Sequence, residues 1–133
     1  IRTYADKYHH AKEEDILFKH FDENLDVIKA MLQDHVTGRG HVKDAASALA
    51  GKNGAAVAAH LLAYHGLLTE HIKKEDEILY PWIDRSLSIT QIGELFSKFI
   101  EADEKIGAEI VSRQQKFVEE AERKYGDYKE NTK

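Results

Sequence analysis

Cysteine is absent from the 133-residue chain. There is then no disulfide framework and no thiolate ligand, and any metal must be held by nitrogen and oxygen. Proline occurs once, at Pro81, and β-branched clusters are few, which favours helix along nearly the whole length. No apolar run approaches the roughly 18 to 20 residues of a membrane span. A basic excess is missing too: the formal net charge is −5, with both signs interleaved along the chain. That argues against a nucleic-acid partner, which calls for a basic patch or stripe. No signal peptide is visible, although the first residue is Ile1 rather than Met, which is compatible with a lost leading segment. A cytoplasmic location is the default expectation.

What is present is helical periodicity. The stretches FDEN (21–24) and AGKNG (50–54) read as breaks, with Asp22 or Asn24 able to cap the helix that follows the first. Around Pro81 a third helix ends, and Ser88 or Thr90 starts a fourth. Four segments result, about 2–20, 24–49, 55–80 and 89–124. In the last, Ile92, Leu95, Phe96, Phe99, Ile106, Ile110 and Phe117 recur at three- and four-residue steps and mark one apolar face. Short connections imply antiparallel neighbours. The expected fold is all-α, an up-and-down antiparallel four-helix bundle with a long C-terminal helix. Residues 1–85 form the part that carries the motifs, and 86–133 pack on it. The charged tail from Glu119 to Lys133 reads as a frayed end.

Two stretches echo one another, HHAKEED at 9–15 and EHIKKED at 70–76. His10 and Glu14 stand four apart, as do His71 and Glu75. On a helix that spacing stacks the two side chains on one face, and an imidazole beside a carboxylate suits a first-row transition metal, iron or zinc included. Leu17 and Phe18 follow the first pair as Ile78 and Leu79 follow the second. Either pair alone is equally at home on a helix surface, where an i,i+4 pair contributes about 0.2–0.5 kcal/mol.

Geometry joins the pairs. If both meet His35, in DHVTGR (34–39), at one level of a bundle, the chain must turn midway between successive partners. Those midpoints are residues 23–24 and Asn53, and both fall inside the compositional breaks. A cluster of histidines and carboxylates on facing helices is how bundles build carboxylate-bridged di-iron centres, with two glutamates bridging, imidazoles terminal and a place left for a diatomic ligand. Lys12, Lys73 and Lys74 are expected to point away and stay solvated.

HHAKEEDILF, DHVTGR and EHIKKEDEILYP together resemble the hemerythrin-like, or HHE cation-binding, family over roughly residues 4–84. The resemblance implies a four-helix bundle with a non-haem di-iron site that binds or reacts with dioxygen or nitric oxide. Carried across, His10, His35 and His71 would be ligands, with Glu14 and Glu75 as bridging carboxylates. Two departures stand out: the family's first helix supplies a further histidine that has no counterpart here, and Arg39 stands where oxygen carriers have a second histidine. An apolar strip left by a missing first helix could drive homodimerisation.

Of the remaining histidines, His9 is expected to face solvent or a neighbouring helix, His20 and His41 the surface, and His60 the end of the bundle, while His65 points away from its face. Tyr64 is either core or a gate to the site. Phe96, Phe99 and Ile100 would wall the site, and Glu101 or Asp103 could approach a vacant ligand position. The leading functional expectation is a non-haem di-iron protein binding or sensing dioxygen, nitric oxide, or iron and redox state. The alternatives are a di-iron enzyme or iron-delivery protein in oxidative or nitrosative stress repair, and a metal-free helical interaction module.

Overall fold

The structure, a computed structural model, describes residues 1–126, and these form helices only, with no strand among them. A leading helix comes first. It runs through a π-helical stretch Arg2–His10, a π turn Glu13–Leu17 and a 3-10 turn Phe18–His20, and Phe21 ends it in extended conformation. Then follow α1 (Asp26–Ala50) and α2 (Gly54–Lys74). A second π turn, Glu75–Leu79, carries α2 onward into α3 (Tyr80–Ser86). The chain closes with α4 (Ile89–Ile106) and α5 (Ala108–Tyr125). No helix among the described residues is long and apolar enough to cross a membrane.

The two expected breaks are turns. After α1, Lys52 takes a left-handed φ of 57°, and the Asn53 side chain then accepts from the Ala56 N–H to cap α2. At FDEN, Asp22 accepts from the Asn24 N–H and so shapes the turn itself, whereas Leu25 precedes α1 with no side-chain cap. Ser88 starts α4 through a reciprocal capping box with Gln91. Pro81 does not end its rod, contrary to expectation. It lies in the first turn of α3, immediately after the π turn, where a missing N–H is tolerated. The expected long last helix is instead two, because Gly107 adopts a φ of 79° that a side chain would resist. Residues 119–125 belong to α5 and are not a frayed end; the rest of that expected tail, 127–133, lies outside the described residues.

Partner residues along α1 and α2 run in opposite senses: Asp34 meets Lys74, His35 meets His71, and His41 faces His60. The leading helix likewise opposes α1, since Asp6 reaches Arg39 and Glu14 reaches His35. Gly38 lies where α1 and α2 pack, beside the Tyr64 ring, which a Cβ at this position would just touch at 3.4 Å. The core is gathered at one end. Leu17, Phe18, Ile28, Met31, Leu79, Ile83 and Leu95 form one buried cluster, with Phe21 and Trp82 rings 4.6 Å apart at its edge.

The last segment is only partly inward. Leu95 is buried and Phe99 packs against the core, but Phe96 is 65% exposed, and Ile92, Ile100 and Phe117 are also exposed. Of the Phe96, Phe99 and Ile100 expected to wall the site, only Phe99 turns inward, and it packs on the apolar core, because the apolar positions on this segment cover a wider arc than one helix contact can bury.

Candidate metal centre

Directly above the apolar core, three helical segments bring together five buried polar side chains: His10, Glu13, His35, His71 and Glu75. Burial of so many ionisable groups is costly unless they are paired or hold a cation. His35, from α1, points Nε2 at His71 Nε2 from α2, 3.2 Å away. The same His35 nitrogen is 3.2 Å from Glu13 Oε2, and His71 Nε2 is 3.0 Å from Glu75 Oε1. Donor atoms of Glu13, His35, His71 and Glu75 all lie within 4.8 Å of one another, and so do those of His10, His35 and His71.

The two carboxylates arrive by the same device. Glu13 opens the π turn Glu13–Leu17 and Glu75 opens the π turn Glu75–Leu79; each turn ends on a buried leucine that anchors it in the core. Single π turns of this kind recur at functional sites, where they aim a side chain that regular helix would not. Tyr80, just past the second turn, donates its hydroxyl to Glu13 Oε1 at 3.0 Å.

Glu14 is not brought into this cluster. Its Oε1 lies 2.7 Å from His35 Nδ1 on the far side of the ring and accepts from Arg39 Nη2 at 2.6 Å. Glu13, its neighbour, stands where Glu14 was expected, and the other expected residues, His10, His35, His71 and Glu75, converge. The missed signal was the apolar residue four places on: Glu13 to Leu17 repeats Glu75 to Leu79. His9, expected to face solvent or a neighbouring helix, lies outside the cluster of donors. Its side chain is 46% exposed at the rim, with Nε2 3.7 Å from both Glu13 Oε1 and Glu75 Oε1.

The lysines are not all free. Lys12 pairs with Asp103 at 2.6 Å and lies over the Tyr8 and Phe99 rings, which removes Asp103 from any ligand position. Lys74 pairs with Asp34, which also lies 3.2 Å from His71 Nδ1. The His41 and His60 rings lie 6.2 Å apart between α1 and α2, tilted at 45° to one another. Tyr64 is buried against Gly38 and lines a cavity of about 10 Å³ with His10, Leu67, Leu68 and His71, about the least space that one water needs.

Electrostatics mark the same place. Burial, reinforced by the neighbouring His35, pushes the His10 imidazole down to about 4. For Glu75, burial alone would raise the pKa, but the imidazoles of His71 and His9 outweigh it and hold the carboxyl far below its usual range. His71 is raised, its burial opposed by Glu75, and His9 is raised chiefly by Glu75.

Whether the donors suit a metal can be tested on their unmet valences. Among buried side-chain atoms of the described residues, His10 Nδ1 and Nε2 have no hydrogen-bond partner, and Glu13 Oε2 and Glu75 Oε1 have none in favourable geometry, their near neighbours being the imidazole nitrogens of His35 and His71. Orphaned buried acceptors are rare in folded proteins and each calls for a reason. Nitrogen and carboxylate oxygen without sulfur are the donors of non-haem iron and of zinc. The residues fit a metal.

The family model described as hemerythrin HHE cation binding domain matches residues 1–83. The chain belongs to the hemerythrin HHE cation-binding family. Among curated proteins and among solved structures, none matches the chain. The matched span of the hemerythrin domain contains every donor of the cluster.

Proposed function

We propose that this hemerythrin-family chain is a non-haem di-iron protein, built as an up-and-down helical bundle, that binds dioxygen or nitric oxide. The observation that carries the proposal is the convergence of donor atoms of Glu13, His35, His71 and Glu75 to within 4.8 Å of one another, with both ring nitrogens of the buried His10 left without a hydrogen-bond partner beside them. In this reading Glu13, Glu75, His10, His35 and His71 would hold the ions, with His9 at the rim. When bound, the ions supply open coordination positions for a small ligand. The chain's own contribution is to fix the donors and keep water sparse: the apolar cavity beside His10 and His71 is lined by Leu67, Leu68 and Tyr64.

Tyr80 holds one oxygen of Glu13 and leaves the other turned to the centre. Zinc or another divalent ion would satisfy the same donors, so the metal is decided by measurement. After anaerobic incubation with ferrous iron and desalting, the full chain should retain close to two irons and, once oxidised, absorb in the near ultraviolet. Absence of retained iron, or of any divalent metal, would end this reading.

A further inference from the structure

We infer that Glu14 and Asp34 are positioning residues that hold the imidazoles of His35 and His71 with Nε2 turned to the centre, an inference that rests on the metal-site reading above. The two contacts share one design. Glu14 Oε1 faces His35 Nδ1 at 2.7 Å, and Asp34 Oδ2 faces His71 Nδ1 at 3.2 Å. In each case the same oxygen is also held by a cation, Arg39 Nη2 at 2.6 Å on Glu14 and Lys74 Nζ on Asp34. Arg39 is fixed in turn by Asp6, whose Oδ1 accepts from its Nε at 2.5 Å.

A carboxylate on Nδ1 selects the tautomer that donates there, and this leaves the Nε2 lone pair for a metal. Neither carboxylate reaches the centre. Each acts through a ring, and the chain alternates roles between neighbours: Glu13 faces in and Glu14 out, His35 in and Asp34 out. Successive residues on a helix point about 100° apart, so one rod supplies both a donor and the clamp for a donor on another rod. Arg39, where an oxygen carrier would have a histidine, thereby serves the site from outside it.

The test uses the full chain and four variants, Glu14→Ala, Glu14→Gln, Asp34→Ala and Asp34→Asn. In the metal-free protein, side-chain ¹⁵N shifts should show His35 and His71 as Nδ1–H tautomers, with His35 losing that preference in Glu14→Ala and His71 in Asp34→Ala. Ferrous-iron affinity should fall about 10- to 100-fold in each alanine variant, measured at a temperature where the metal-free variant is still fully folded. The Gln and Asn side chains still offer an oxygen to Nδ1–H and should recover most of the affinity. Unchanged tautomers in the alanine variants, or equal affinity losses in the amide and alanine variants, would overturn the inference. Should the parent bind no iron, the metal-site reading fails, and the tautomers still decide whether these carboxylates set the rings.

Discussion

The chain writes one pattern twice, HHAKEEDILF at 9–18 and HIKKEDEILY at 71–80, with half of the aligned positions identical, and the two copies do not do the same work. Glu13 and Glu75 are equally buried, each at the head of a π turn closed by a buried leucine. The histidines that precede them diverge: His71 is 2% exposed, whereas the His9 side chain is 46% exposed. His71 lies under α1, with Asp34 and His35 against it, while in the first copy His10 turns onto α1 and stacks on His35 at 4.1 Å. The last positions differ as well, Phe18 packing near the His35 ring and Tyr80 giving its hydroxyl to Glu13. A repeated spacing sets the depth of the carboxylates. The depth of each imidazole depends on which helix it meets.

That asymmetry can be broken most severely at the histidines. Replacing His71 with alanine should abolish the metal-dependent rise in thermal stability, worth about 4 kcal/mol at metal concentrations near 1,000 times the dissociation constant. His9→Ala should keep most of it. Equal losses in melting curves with and without iron would erase the distinction between the copies.

A smaller effect separates the histidines by pH in the metal-free chain. Burial holds His10 near 4 when folded, below its ordinary value of about 6.5. The unfolded chain therefore takes up the proton first: stability is unaffected by this group above pH ~6.5 and falls as pH drops toward 4. His71 is raised, so its contribution is full below its ordinary value and is lost as pH rises through the folded one. An NMR titration of the ring protons should find His10 titrating last on acidification. If His10 instead titrates ahead of His71, the burial argument is wrong.

The smallest expected change tests the unequal ends of the two copies. Tyr80→Phe leaves Glu13 Oε1 without its donor and should cost about 1 kcal/mol in urea denaturation of the metal-free protein. An unaltered midpoint would show that the hydroxyl is exchangeable with water.

Much of the fold was legible because breaks and periodicity are local. AGKNG and FDEN became turns, and the three histidines His10, His35 and His71 share a level because the legs between those turns match in length. The choice between Glu13 and Glu14 was not local. Both registers, 9/13 and 10/14, satisfy a four-residue spacing, and regular helix geometry offers no reason to prefer either. The π turn decides it by seating Leu17 in the core. The break at Gly107 and the outward Phe96 escaped for a related reason, since apolar periodicity shows that a face exists but not how much of it finds a partner.

Gly38 bears on how closely two rods can stand. It lies one turn beyond His35 on the face that α2 covers, and a methyl group there would just touch the Tyr64 ring, at 3.4 Å. A side chain longer than that of alanine would have to push the ring aside, and with it the rod that carries His71. The spacing between the two imidazoles thus leans on a residue with nothing to donate.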